Sequence, residues 1–251
     1  MTQPPLTLSA WLRYDLIERT LARFSAIESV LEIGAGEGAL GARLAARYDY
    51  TGVEPDPLAC AKARERIEPS GGRVVCGDLE QLGPAAFDLV CAFEVLEHID
   101  DDAAALGAWW ERVRPGGRIM LTVPPFQDRF GAADRRVGHI RRYEPDRLVE
   151  ALRSAQFVEV EAMLFGFPFG RGLEVARNLL ARAAPSEGSA GERSETSGRW
   201  MQPADRLAPL TYAVALPARL CQRPFIGSRR GSGLFAVARR PPQAAGSSAA
   251  S

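Results

Sequence analysis

Apolar residues switch period along the chain in a regular rhythm. Leu12, Leu16, Ile17, Leu21 and Phe24 recur at helical spacing, which predicts a lead-in helix from Leu8 to Phe24. Short apolar runs then alternate with amphipathic stretches. The runs predict strands at Ser29–Ile33, Tyr50–Val53, Arg73–Cys76, Phe87–Phe93, Arg118–Val123 and Phe157–Leu164. The stretches between predict helices ending near Arg47 and Ile67, and further helices over Asp101–Val113 and Pro145–Ala155. Pro115-Gly116-Gly117 reads as a tight turn. The inner runs (VCAF, IMLTV) carry apolar residues at every position, as strands covered on both faces do. Strands alternating with helices define an α/β chain with a doubly wound, Rossmann-like sheet.

The rhythm breaks at Gly166. Phe165, Phe167 and Phe169 surround Pro168, a helical pattern follows to about Leu180, and residues 185–198 (PSEGSAGERSETSG) are polar and low in complexity, which predicts a flexible loop. Arg206–Cys221 is apolar and partly helical, and Gly233–Ala238 (GLFAVA) is a candidate last strand. The expected organisation is a lead-in helix (1–28), a core (29–165), a helical insertion or cap (166–231), a returning strand (232–240) and a disordered tail (241–251).

Composition narrows the chemistry. In 251 residues, 46% apolar and 25% charged usage is ordinary for a globular chain, and 31 basic residues balance 31 acidic ones. Zero net charge gives no general field for nucleic acid, which is therefore not the expected partner. Lys62 is the sole lysine, so a Walker A phosphate loop is excluded. Cys60, Cys76, Cys91 and Cys221 form no C-x-x-C pair; the expectation is no disulfide, with Cys76 and Cys91 as buried thiols. No run of 18 apolar residues offers a membrane span. No basic-then-apolar leader is visible in MTQPPLTLSAWLRYD, so the cytoplasm is the expected location.

Gly34, Gly36 and Gly38 follow the first strand directly. Glycine there lets the chain turn sharply and lets a ligand approach the backbone. Glu54 ends the second strand, twenty positions after Gly34, where a carboxylate accepts both hydroxyls of an adenosine ribose. Asp78 ends the third, within reach of an exocyclic adenine amine. One carboxylate alone fits a solvated loop; the pair at successive strand ends favours an adenosine site.

With LEIGAGEG, GVEPDP, GDLEQL, FDLVCAFEVLEHIDD and RVRPGGRIMLTVP in order, the chain from Ser29 to Val160 resembles the class I S-adenosylmethionine-dependent methyltransferases. The resemblance implies a seven-stranded, mostly parallel sheet whose last, antiparallel strand enters between the fifth and sixth. It implies S-adenosylmethionine as cofactor: cradled by Gly34, Gly36 and Gly38, placed at its amino end by Glu32, held at the ribose by Glu54, flanked at the adenine by Asp78 and Leu79, and lined by Phe93. The late GLFAVA makes 166–231 an insertion that helps cap or bind the acceptor.

The sulfonium methyl is already activated, so alignment of a nucleophile does most of the work, and a base helps if that nucleophile is a hydroxyl. The candidate bases are His139, His98 and Tyr143, with His139 ranked first. Glu94-x-x-Glu97-His98, with His139, also allows a divalent-cation reading; E-x-x-E-H is common in the superfamily as a loop-ordering element, and no metal is the expectation. Six arginines between Arg129 and Arg147 offer forks for an anionic acceptor, although Asp128, Asp134, Glu144 and Asp146 fit a solvated charged face equally well. The pattern Asp134 to Tyr143 resembles enzymes of saccharide and natural-product pathways. The expected function is methyl transfer to a small-molecule acceptor, at oxygen. A nicotinamide oxidoreductase and a non-catalytic scaffold are the alternatives. The sequence leaves the oligomeric state open.

Overall fold

The computed structural model describes residues 3–24, 26–183 and 208–243. Seven strands form one sheet in the order β3-β2-β1-β4-β5-β7-β6. They are β1 (Ser29–Ile33), β2 (Asp49–Glu54), β3 (Arg73–Cys76), β4 (Phe87–Phe93), β5 (Val113–Val123), β6 (Val158–Phe165) and β7 (Gly233–Arg239). β1 to β5 pair in parallel, while β7 runs antiparallel to both β5 and β6. The expected seven-stranded sheet, with its last strand inserted between the fifth and sixth, is what the chain forms.

Strand alternation builds two cores. Val30, Leu89, Cys91 and Met120 face one side, where helix α1 (Leu8–Leu21) packs Leu12, Leu16 and Ile17 against them. Leu31, Val90, Ala92 and Leu121 face the other, beneath α4 (Asp102–Arg112) and α6 (Pro145–Ser154). Successive side chains of a strand point to opposite faces, so runs apolar at every position are what a sheet covered on both sides needs. Helix starts follow local chemistry. Thr7 caps α1 by accepting from Ala10, and Asp56 caps α3 (Pro57–Ile67) by accepting from Leu58 and Ala59, with Pro57 supplying its fixed φ at the first turn.

Four expectations need correction or placing. The predicted turn at Pro115-Gly116-Gly117 is an irregularity inside β5: Gly116 takes φ +83°, the β4 register shifts, Gly116 N donates to Arg240 O after β7, and Gly117 O accepts from Arg240 N. The helix after β1 shrinks to α2 (Gly41–Ala45). Cys60 and Cys76 are joined as a disulfide across 5.6 Å between their Cα atoms, because α3 folds back onto β3; Cys76 is exposed, and only Cys91 is a buried thiol. The predicted loop at 185–198 and the tail beyond residue 243 lie outside the described residues. Between β6 and β7 the chain places α7 (Phe169–Ala183) and α8 (Ala208–Gln222).

Candidate functional site

A cleft of about 1670 Å³ opens along the carboxyl edge of β1, β2, β3 and β4, the edge on which open α/β sheets bind ligands. It exceeds the usual volume of a single small-molecule site, roughly 300–1,000 Å³.

On the β1–β3 side, Glu32, Gly34, Gly36, Gly38 and Glu54 line the cleft, and Asp78 with Leu79 close its far end. The three glycines have φ of +73°, +54° and +77°. They differ in what holds them small. A Cβ on Gly34 would meet Val95 Cγ2 at 2.6 Å, and one on Gly38 would meet the Ala63 backbone at 2.8 Å. A Cβ on Gly36 would meet nothing within 4 Å, so no protein neighbour restricts it. Glu54 shapes this loop: it accepts from Gly36 N at 2.7 Å and Asp56 N at 3.0 Å. Burial raises its carboxyl pKa against these two bonds. Glu32 is fully enclosed, and burial lifts it to about 7 although the Tyr50 hydroxyl donates to it at 2.6 Å.

On the β4–β5 side, Phe93, Glu94, His98 and His139 line the cleft. Glu94 turns off β4 with φ +59° and meets Arg13 of α1, whose guanidinium lies 3.4 Å from its carboxylate and 5.8 Å over the Phe93 ring. His139 Nδ1 is 2.9 Å from Asp134 Oδ1. Burial would raise Asp134, but hydrogen bonds from His139 and Arg142 outweigh it and hold this carboxyl well below the usual range. An ionised carboxylate only accepts, so His139 Nδ1 carries a hydrogen, and in the neutral tautomer this selects, Nε2 is the acceptor. The rings of His98 and His139 meet edge to face at 4.8 Å. Burial, then the neighbouring His139, pushes His98 down to about 4, so its imidazole is neutral near pH 7.

Glu97 lies beneath the two histidines, fully buried, and neither carboxylate oxygen has a hydrogen-bond partner among the described residues. Burial, then the nearby Glu94, raises its pKa well above the ordinary value. One ligand atom each from Glu97, His98 and His139 falls within 4.8 Å of the others, a spacing that fits a cation between them.

Tyr143 is the exception among the candidate bases. It is fully buried under α4 and does not line the cleft; its hydroxyl donates to Asp102 at 2.9 Å, and burial with that bond raises its pKa. Its hydroxyl is committed to holding α4, and the catalytic candidates narrow to His139 and His98. The arginine-rich segment is likewise structural at its centre. Arg142 is buried and donates to Asp134 and to Glu174 of α7. Arg13, Asp134 and Arg177 also reach the cleft wall, and the sequence reading assigned none of them to it. For Asp134 the signal existed: an acid five residues before a histidine, across a Gly-containing turn.

Residues 31–119 match the family model for a methyltransferase domain. A ubiquinone biosynthesis O-methyltransferase of Aromatoleum aromaticum is 32% identical over 117 residues, covering 44% of this chain and 49% of that protein. An uncharacterized methyltransferase of Mycobacterium tuberculosis is 36% identical over 97 residues, covering 38% and 49%. The chain thus spans about half the length of the curated relatives it matches. Among solved structures, the N-methyltransferase NodS of Bradyrhizobium japonicum with S-adenosyl-L-homocysteine has a TM-score of 0.54 at 18% identity, over 91% of this chain and 86% of that one. The [4+2]-cyclase SpnF has a TM-score of 0.56 at 18% identity, over 91% and 82%. The matched segment, residues 31–119, is thus similar to a methyltransferase domain, and the sheet is an α/β fold shared with the solved S-adenosylmethionine-dependent methyltransferases.

Proposed function

We propose that this protein binds S-adenosylmethionine on the β1–β3 side of the cleft and transfers its methyl group to a hydroxyl of a small-molecule acceptor on the β4–β5 side. One observation carries the reading: a cleft with the glycine loop, Glu54 and Asp78 along one wall and the Asp134–His139 pair along the other. Relatives named as O-methyltransferases support oxygen as the acceptor atom, and the cleft volume leaves room for two molecules. Proximity supplies most of the acceleration, because the sulfonium needs only an aligned nucleophile. His139 Nε2 takes the hydroxyl proton as the methyl moves, and Asp134 fixes the tautomer that makes Nε2 basic. Saccharides and natural-product intermediates are the acceptor classes we would screen first.

Calorimetry with S-adenosylmethionine and S-adenosylhomocysteine tests the cofactor half. Glu54→Ala should weaken binding by about 1–3 kcal/mol, the scale of charge-assisted hydrogen bonds lost. Saturable NADH binding with no affinity for either sulfur ligand would transfer the site to hydride chemistry. Release of S-adenosylhomocysteine across an acceptor panel tests turnover; binding without any release would support a scaffold.

The orphaned oxygens of Glu97 favour a second reading of the acceptor half. Glu97, His98 and His139 fit a divalent cation, which would polarise an acceptor oxygen as a Lewis acid. His139 Nε2 then serves as ligand rather than base. Turnover abolished by a chelator and restored by magnesium or manganese selects this reading; unchanged turnover selects the base.

A further inference from the structure

Helix α7 is turned inside out. Its polar side chains face the protein: Glu174 is buried against Arg142, Asn178 accepts from Ala133 N at 3.0 Å, and Arg177 lines the cleft. Apart from Leu173, which lines the cleft, its large apolar side chains face away. Phe169, Val175, Leu179 and Leu180 are all exposed, the two leucines at 58% and 57%. A helix on a globular domain normally buries its apolar stripe and shows its polar face to water.

Helix α8 repeats the arrangement. It turns its small residues Ala215 and Ala218 inward and leaves Tyr212, Val214, Leu216 and Leu220 exposed. None of the exposed residues from Tyr212 to Cys221 is charged, and Arg219 is paired with Asp15 and Glu18 of α1. The segment just before α7 and the turn just after α8 meet where the Phe167 and Phe225 rings stack edge to face at 5.1 Å. Arg229 and Arg230 are exposed at that junction, Arg230 lying 5.6 Å over the Phe167 ring.

Charge follows the same segment. Residues 166–231 hold ten arginines against five acidic residues, in a chain whose total charge is zero. Among the described residues of that segment the sole acid is the buried Glu174. Exposed apolar side chains bordered by arginine, on two helices whose flanking residues Phe167 and Phe225 touch, are the composition of a surface that rests on anionic lipid.

We propose that the outer faces of α7 and α8 dock this protein on an anionic bilayer surface. The apolar side chains enter the boundary between headgroups and acyl chains, and the arginines meet lipid phosphates. No described helix is long and apolar enough to cross a membrane, so the attachment is interfacial. A second copy of the chain matches the surface less well, because a two-fold contact would set one arginine border against the other. The inner side of α7 forms part of the cleft wall, so that wall becomes the one nearest the bilayer. The proposal stands on the surface alone and does not depend on the reaction assigned above.

The test is sedimentation of the full chain with vesicles of phosphatidylcholine, or of phosphatidylcholine with phosphatidylglycerol, at low and high salt. Binding should be at least about tenfold stronger to the phosphatidylglycerol vesicles and should weaken with salt. The pairs Leu179→Glu with Leu180→Glu, and Val214→Glu with Leu216→Glu, should each cut binding about tenfold with thermal melting unchanged. Arg229→Glu with Arg230→Glu should remove the phosphatidylglycerol preference. An unmodified chain that sediments with neither vesicle overturns the proposal whatever the variants do. So does vesicle binding that both apolar pairs leave intact. A dimer that these pairs dissolve, with no vesicle binding, would assign the surface to a second copy.

Discussion

The two walls of the cleft are built by opposite means. Along β1–β3 the site is backbone: three glycines at positive φ, Gly36 N bonded to Glu54, and carboxylates at successive strand ends. Along β4–β5 it is side chains drawn from α1, the segment after β5, and α7, held by a buried ion network of Asp134, Arg142 and Glu174. The backbone wall depends on a short contiguous segment, so its geometry is written locally. The side-chain wall exists only after three distant segments have packed together.

The comparison breaks most sharply at His139. His139→Ala should cut turnover by 10²–10⁴-fold while leaving cofactor affinity alone, since a general base contributes on that scale. Steady-state rates beside calorimetry would read both, and near-parental turnover would leave alignment alone to explain the rate. Next is Arg142→Met, which strands Asp134 and Glu174 as buried unpaired acids. It should cost about 3–5 kcal/mol in urea unfolding, as breaking one side of a buried ion pair does. A loss below about 1 kcal/mol would mean that water reaches the network.

A smaller pair of effects sharpens the contrast within the glycine loop. Gly38→Val should destabilise the fold by roughly 2–4 kcal/mol, from overpacking against Ala63 plus the left-handed backbone. Gly36→Val faces open space, so it carries the left-handed-backbone cost of about 1–2 kcal/mol without the overpacking; it should lose less stability than Gly38→Val and lose S-adenosylmethionine binding. Equal melting losses in both variants would erase the distinction between a packing glycine and a ligand glycine.

Last is a pH effect at Glu32. The folded chain keeps the Glu32 proton up to about pH 7, whereas an ordinary glutamate releases it near 4.5. Stability tied to this group is therefore full below about pH 4.5 and is lost as pH rises to about 7, by up to about 3 kcal/mol. His98, held down near 4, gives the opposite slope: its contribution is present above about pH 6.5 and is lost as pH falls toward 4. The informative quantity is therefore the stability of the parent minus that of Glu32→Gln without cofactor, which should decline across pH 4.5–7. A flat difference would place Glu32 in a wetter site.

The same contrast explains what the sequence disclosed. Strands such as Phe87–Phe93 were legible because a doubly covered strand is apolar at every position, and the glycine loop because its chemistry is contiguous. Tyr143 was misjudged because position in a polar loop says nothing about direction: its main chain bonds to Pro124 and Phe126, which turns the ring into the core. Arg142 read equally as a fork for an anionic acceptor or as part of a solvated charged face, yet its partners are acids eight and 32 residues away. The Cys60–Cys76 pair carries no sequence signature, because its proximity comes from α3 crossing back over β3. Helix α7 showed its period plainly but not its orientation, since only packing against α5 (Ala132–Val137) reveals which face turns inward.

The position of β7 also orders events during synthesis. It pairs with β5 on one side and β6 on the other, and β6 has no other neighbour in the sheet. From Val123 to Gly233 the growing chain must carry the outer edge of β5 with its hydrogen-bonding groups unpaired. At ordinary ribosomal speed that interval is roughly 5–20 s. For that time the nascent protein is a five-stranded sheet with a long apolar edge open to any passing strand. A stalled or truncated chain lacking residues 233–239 would hold that state indefinitely, and ribosome-bound chains of that length should recruit chaperones that the finished protein does not need.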